Sequence, residues 1–214
     1  MLPAVFTGPA IAHRGLHDRA AGRIENSRAA VRAAVEAGYG VEIDVQLSAD
    51  GEAMVFHDDA LDRLTARSGP LKALTAAELG RIALTGSAET IPTLAEILAV
   101  TSGRAALLIE IKDQGGRMDA TGVGPLEARV AALLGDYAGP VAVMSFNPAS
   151  VAAMRDAAPS VPRGLTACAA AGYDEQQLGT ERLQALAEMR DYETVGACFC
   201  RRSPCRPRLP APRA

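Results

Sequence analysis

The chain has 214 residues, 49% of them hydrophobic and 22% charged, a composition that excludes a disordered or fibrous protein and fits one globular domain. A net charge of -3 gives no basic footprint for nucleic acid and no polybasic patch for a membrane surface, which leaves a small molecule as the expected partner. No apolar run reaches the roughly 18 residues of a membrane span and residues 1–12 lack a charged leader region, so the chain reads as cytoplasmic with no stable membrane anchor.

Short β-rich runs alternate with helix-period stretches along the chain, the mark of a parallel sheet with crossover helices. The first run, AIAH (10–13), ends on His13 and is followed by Arg14 and Gly15. Asn26 and Ser27 are cap candidates for a helix carrying Ala30, Val31, Ala34 and Val35 and stopping at Gly38. VEIDV (41–45) and MVFH (54–57) form the second and third runs, the latter ending on His57. The stretch from Asp58 to Thr93 is longer than a crossover helix requires, so about 58–93 reads as an insertion beside the mouth of a barrel. Within it Thr75 with Glu78, and at its end Thr93 with Glu96, have capping-box spacing and each opens a helix, the second running to about Ser102. LLIEIK (107–112) is the fourth run, followed by a helix bearing Leu126, Val130, Leu133 and Leu134 and closed by Gly135. VAVMSF (141–146) precedes a helix begun by Asn147 and Pro148. GLTA (164–167), a helix after Thr180 with Leu183, Leu186 and Met189, and VGACF (195–199) complete seven candidate strands in all. Beyond Phe199 five arginines and four prolines replace both periods, so 200–214 reads as an irregular tail that a frame change or truncation near residue 200 would produce. Cys168 stands apart from Cys198, Cys200 and Cys205, a spacing that suits neither a disulfide framework nor zinc.

In VEIDV, Glu42 and Asp44 alternate with Val41, Ile43 and Val45 and therefore share one face of the strand. On an antiparallel edge that face would simply be solvated. In a parallel sheet covered on both sides, two carboxylates persist only with a cation or with raised pKa values. LLIEIK repeats the pattern, with Leu108, Glu110 and Lys112 on one face. Glu42, Asp44 and Glu110 together suit a hard divalent cation, Mg²⁺ or Ca²⁺, while the alternative for Glu110 and Lys112 is a structural salt bridge. His13 and His57 each end a strand, where barrel sites lie, and two imidazoles can divide acid and base roles in phosphodiester cleavage. Arg14 is a fork suited to a phosphate oxygen, Gly15 lets the backbone turn beneath it, and Lys112 adds positive charge. His17 reads as a solvated residue, and Glu25 with Asn26 as a helix cap.

The ordered series HRG (13–15), EN (25–26), EIDV (42–45), DG (50–51), VFHD (55–58), LDRLT (61–65), IPTL (91–94) and IEIK (109–112) closely resembles the glycerophosphodiester phosphodiesterase family over about residues 10–199. The resemblance implies a parallel (β/α)₈ TIM-type barrel with a small insertion after the third strand, and a domain spanning 1–199. It implies hydrolysis of glycerophosphodiesters to glycerol 3-phosphate and an alcohol, with the glycerol 2-hydroxyl as internal nucleophile. By position His13 and His57 become the acid/base pair, Glu42, Asp44 and Glu110 the metal ligands, and Arg14 and Lys112 the phosphate contacts. Ser27 replaces the threonine common in the family after EN. The family continues with an eighth strand bearing a tryptophan-threonine motif; this sequence has no tryptophan, so a barrel lacking its last βα unit is expected. A lipid phosphodiesterase on the same barrel, and an inactive relative acting only as a binding protein, are the alternatives.

Overall fold

The computed structural model of the protein describes residues 3–166. The expected strand at 195–199, the helix after Thr180, the tail at 200–214, and with them the expectation that a last βα unit is lacking, fall outside the described residues.

Five strands run parallel: β1 (Ile11–Ala12), β2 (Gly40–Leu47), β4 (Leu107–Ile111), β5 (Val141–Ser145) and β6 (Arg163–Leu165), side by side in that order. Each step between them passes through a helix. α1 (Arg28–Glu36) links β1 to β2, α3 (Leu94–Thr101) precedes β4, α4 (Pro125–Gly135) precedes β5, and α5 (Pro148–Ala157) precedes β6. The helix starts follow local chemistry. Ser27 Oγ accepts from Ala30 N, Thr93 and Glu96 form a reciprocal capping box, and Asn147 accepts from Ala149 N with Pro148 at the first position. The Thr75 capping box is likewise formed, opening the short α2 (Ala76–Leu79) within the insertion. Among the described residues no helix is long and apolar enough to cross a membrane.

The third run departs from a parallel barrel strand. β3 (Ala53–Val55) turns back on β2 as an antiparallel hairpin, pairing Val45 with Val55 and Leu47 with Ala53. Residues 48–52 are too few for a parallel crossover, which needs a dozen or more, and Gly51 takes φ 82 in the turn. β1 pairs with the lower end of β2, at Gly40 and Val41, and β3 with its upper end, so the two occupy the same side of β2 at different heights.

Period-two alternation sorts the strands into two faces. Val41, Ile43, Val45, Leu107, Ile109 and Ile111 join Val31, Leu94, Ile97, Leu126 and Val130 of the helices in one buried cluster, each side chain contributing about 1.5–3 kcal/mol by leaving water. On the other face Leu108, Ala142 and Met144 pack with Phe6 and Ala106 as a smaller apolar layer. The insertion has a core of its own, in which Leu61, Leu64, Leu71, Leu79 and Leu84 gather around Met54 and Phe56.

Candidate active site

The register of β2 on β4 sets Asp44 opposite Glu110, and Glu42 follows two residues away on the same face. Ligand atoms of these three carboxyls all lie within 4.8 Å of one another, and all three residues are buried. Burial, then the charge of Asp44, pushes the Glu42 carboxyl up. Burial also raises Glu110, against the pull of Lys112. Burial opposes the Asp44 charge too, but Lys112, His57, Asn26 and Arg14 outweigh it and hold Asp44 low.

Lys112 Nζ lies 3.0 Å from Asp44 Oδ1 and 2.7 Å from Glu110 Oε1, so the salt bridge weighed from the sequence is present. It does not exhaust the site's acceptors. Glu42 Oε2 accepts from Arg14 N at 2.9 Å, but its buried Oε1 has no hydrogen-bond partner among the described residues. A buried carboxylate oxygen with open lone pairs, clustered with two further carboxylates, matches the donor set of a hard divalent cation.

The two imidazoles arrive from opposite directions. His13 follows β1, which climbs toward the middle of β2, with Nε2 3.9 Å from Glu42 Oε2. His57 follows β3, which descends to the same level, Phe56 N donating to Asp44 O at 3.1 Å. His57 thus reaches the acids by a hairpin and not at the C-terminal end of a parallel strand. Gln46 secures that return, its Nε2 donating to Phe56 O at 3.0 Å and to Asp58 O at 2.7 Å. The His13 ring is half-exposed, and burial of its remainder followed by the charge of Arg14 lowers its pKa to about 4. His57 Nδ1 is 2.7 Å from Asp58 Oδ1. Burial raises Asp58, but hydrogen bonds from Arg63 and His57 hold its carboxyl low; it is therefore the acceptor, and Nδ1 donates.

Arg14 and Asn26 are both left-handed, with φ 57 and φ 60, and Asn26 N donates to Arg14 O at 2.9 Å. Gly15 beneath them is obligatory: at φ 78, a Cβ there would lie 2.8 Å from the carbonyl carbon of Ala30. Ser27 is the cap, and the Asn26 side chain turns onto Asp44 instead. Asn26 Nδ2 donates to Asp44 Oδ2 at 2.9 Å, and Asp44 N donates back to Asn26 Oδ1 at 3.2 Å. Glu25 accepts from Arg14 Nη1 at 2.8 Å and from both terminal nitrogens of Arg63, at 3.0 and 2.7 Å. Arg14 Nε also lies 3.3 Å from Asp44 Oδ2. His17 is exposed, as expected.

All seven residues singled out from the sequence, His13, Arg14, Glu42, Asp44, His57, Glu110 and Lys112, therefore surround one end of β2 and β4. Sequence reasoning missed the supports: Asn26, Gln46, Asp58 and Arg63. Asp58 and Arg63 lay inside recognised motifs, VFHD and LDRLT, without a role.

A model of the glycerophosphoryl diester phosphodiesterase family matches residues 13–197. The chain is 37% identical over 163 residues to the Bacillus subtilis (strain 168) protein YhdW, a match covering 71% of this chain and 63% of that one. It is 32% identical over 164 residues to a glycerophosphodiester phosphodiesterase of Caldanaerobacter subterraneus subsp. tengcongensis, covering 72% and 65% respectively. The match thus spans less than two thirds of either relative. Among solved structures, an Oleispira antarctica phosphodiesterase in complex with the product sn-glycerol-3-phosphate superposes with TM-score 0.66 at 29% identity, over 86% of this chain and 74% of that one. A glycerophosphodiester phosphodiesterase from Agrobacterium tumefaciens str. C58 gives TM-score 0.61 at 28% identity, over 72% and 65%. The fold is the TIM-type barrel of these structures.

Proposed function

Since the chain belongs to the glycerophosphoryl diester phosphodiesterase family, we propose that it hydrolyses small glycerophosphodiesters to glycerol 3-phosphate and an alcohol. The observation that carries this reading is the buried carboxylate cluster with an open oxygen, flanked by two imidazoles and a guanidinium at one strand end.

Glu42, Asp44 and Glu110 would hold a divalent cation, Mg²⁺ or Ca²⁺. When bound, such an ion supplies Lewis-acid polarisation of a phosphoryl oxygen. The remaining work falls to the chain. Arg14, braced by Glu25 and by its own strained backbone, presents a fixed charge for a non-bridging oxygen of the diester. Lys112 reaches the same face and offsets charge that develops on the phosphorane. His13, which burial and Arg14 keep neutral, accepts the proton of the attacking hydroxyl. His57, held by Asp58 through Nδ1–H, enters the step with both ring nitrogens protonated and passes the Nε2 proton to the leaving oxygen, which leaves it as the Nδ1–H tautomer. With the glycerol 2-hydroxyl as nucleophile the attack is intramolecular and yields the alcohol and a cyclic phosphate; water, giving its proton to His57, then opens the ring while His13 returns its proton to the 2-oxygen, which leaves glycerol 3-phosphate.

The test is release of glycerol 3-phosphate from water-soluble glycerophosphodiesters and from lysolipids by the 214-residue chain, with Mg²⁺, with Ca²⁺ and with chelator. His13→Ala serves as control, and calorimetry reads binding of either ion separately. Metal-dependent turnover of the water-soluble diesters, lost in the variant, is expected. Turnover of lysolipids alone would replace the substrate class, and ion binding without any turnover would leave a binding protein.

A further inference from the structure

We propose that Arg63, in the insertion, is a positioning residue that holds both working ends of the site at once: His57 through Asp58, and Arg14 through Glu25. The inference rests on the roles just given to His57 and Arg14.

Arg63 meets two carboxylates from different parts of the chain. Its Nε donates to Asp58 Oδ2 at 2.5 Å and its Nη2 to Asp58 Oδ1 at 3.1 Å. The same guanidinium donates from Nη1 to Glu25 Oε2 at 3.0 Å and from Nη2 to Glu25 Oε1 at 2.7 Å, across 38 residues of sequence. Each carboxylate then passes the constraint inward. Asp58 accepts from His57 Nδ1 at 2.7 Å, and Glu25 accepts from Arg14 Nη1 at 2.8 Å. Two cations and two anions alternate along this chain, so each carboxylate is gripped on both sides and neither can turn away from the residue it aims.

The anchor of Arg63 is rigid although its own side chain is 46% exposed. Leu61 and Leu64, on either side of it in sequence, are buried in the insertion's separate core, which fixes the backbone from which the fork extends. A planar fork is required because two adjacent edges of one guanidinium, sharing Nη2, each grip a carboxylate; an ammonium at the same place is a point charge with no fixed spread of donors. Without Arg63, Asp58 is free to rotate off Nδ1, and His57 loses the partner that selects the tautomer with Nε2 facing substrate. Glu25 would then have Arg14 as its remaining guanidinium partner and would pull it away from the position in which it meets phosphate.

A merely structural tie between insertion and barrel would change stability alone. The discriminating experiment reads the ring nitrogens of the three histidines by ¹⁵N NMR at a pH where they are neutral, in the full chain and in Arg63→Met and Arg63→Lys. In the unsubstituted chain His57 is expected as the Nδ1–H tautomer; in both variants it shifts toward a mixture with Nε2–H, while His17 is unchanged. With Mg²⁺ and a water-soluble glycerophosphodiester, kcat/KM falls about 10–100-fold in Arg63→Met, divided between a lower kcat through His57 and a higher KM through Arg14. Arg63→Lys recovers thermal stability but not the tautomer. An unchanged His57 tautomer in a folded variant, or full turnover in Arg63→Lys, overturns the proposal. Should Arg63→Met fail to fold, Arg63→Lys supplies the same reading. Absence of turnover in the unsubstituted chain would sink the activity proposed above and leave the tautomer to decide on Arg63.

Discussion

On β2 and β4 the residues toward the helices, Val41, Ile43 and Ile109, and those on the opposite face, Glu42, Asp44 and Glu110, are all buried, and they differ in what burial does to them. For the first set leaving water is favourable and the gain is spread over many contacts. For the second it is unfavourable, raising Glu42 and Glu110 toward their neutral forms and demanding compensation by Lys112, Arg14 and Asn26. One strand pair therefore carries stability on one face and stored electrostatic cost on the other, which predicts that substitutions on the two faces separate activity from stability.

The largest expected effect is on the acidic face. Glu42→Gln keeps an oxygen to accept from Arg14 N but removes one of three clustered charges; turnover should fall about 10³-fold, while urea unfolding shows stability unchanged or raised by about 1 kcal/mol. A loss of stability above 2 kcal/mol would mean that the carboxylate is a structural partner and that the contrast between faces is wrong. The apolar face should give the reverse pattern. Ile109→Ala, fully buried in the main core, should cost about 2–5 kcal/mol in the same unfolding measurement, with kcat preserved at temperatures where the variant remains folded.

A smaller effect lies at the edge of the acidic face. Burial raises the Glu25 carboxyl, but hydrogen bonds from Arg63 and Arg14 outweigh it and lower its pKa from 4.5 to about 2. The folded chain therefore binds this proton more weakly than the unfolded chain. Its contribution is fully present above about pH 4.5 and lost as pH falls from there toward about 2. After screening it is on the order of 2 kcal/mol, and Glu25→Gln should flatten the acid limb of stability against pH by that amount. An acid limb identical in both proteins would show that Arg63 and Arg14 do not hold Glu25 charged.

The acidic face was legible because alternation of charged and apolar residues over VEIDV and LLIEIK is a purely local signal, as are the capping boxes at Thr75 and Thr93. The direction of β3 was legible in principle, since a five-residue link with Asp50 and Gly51 cannot make a parallel crossover, but MVFH taken by itself carries no direction. Asn26 was not legible. Asparagine before serine at a helix start has the same local pattern whether it caps the helix or turns its amide onto Asp44, and only the fold, which brings β2 alongside, decides between them. Arg63 is the extreme case: an arginine in a loop joins Glu25 and Asp58 because two loops distant in sequence meet above the sheet, and no periodicity records that meeting.

The turn at 48–52 acts as a ruler for the site. Adding or deleting one residue there would slide β3 by one step along β2 and exchange the faces its side chains occupy, turning Met54 and Phe56 away from the insertion's core and Ala53 and Val55 away from the main one. A change of two restores the faces, so the sheet would accept it, yet it would carry His57 about 7 Å along β2 and out of reach of Asp44. The barrel tolerates changes here in steps of two; the chemistry tolerates none. Length variation compatible with both must fall beyond Asp58, in the insertion, where chain can be gained or lost provided Arg63 still arrives above Glu25.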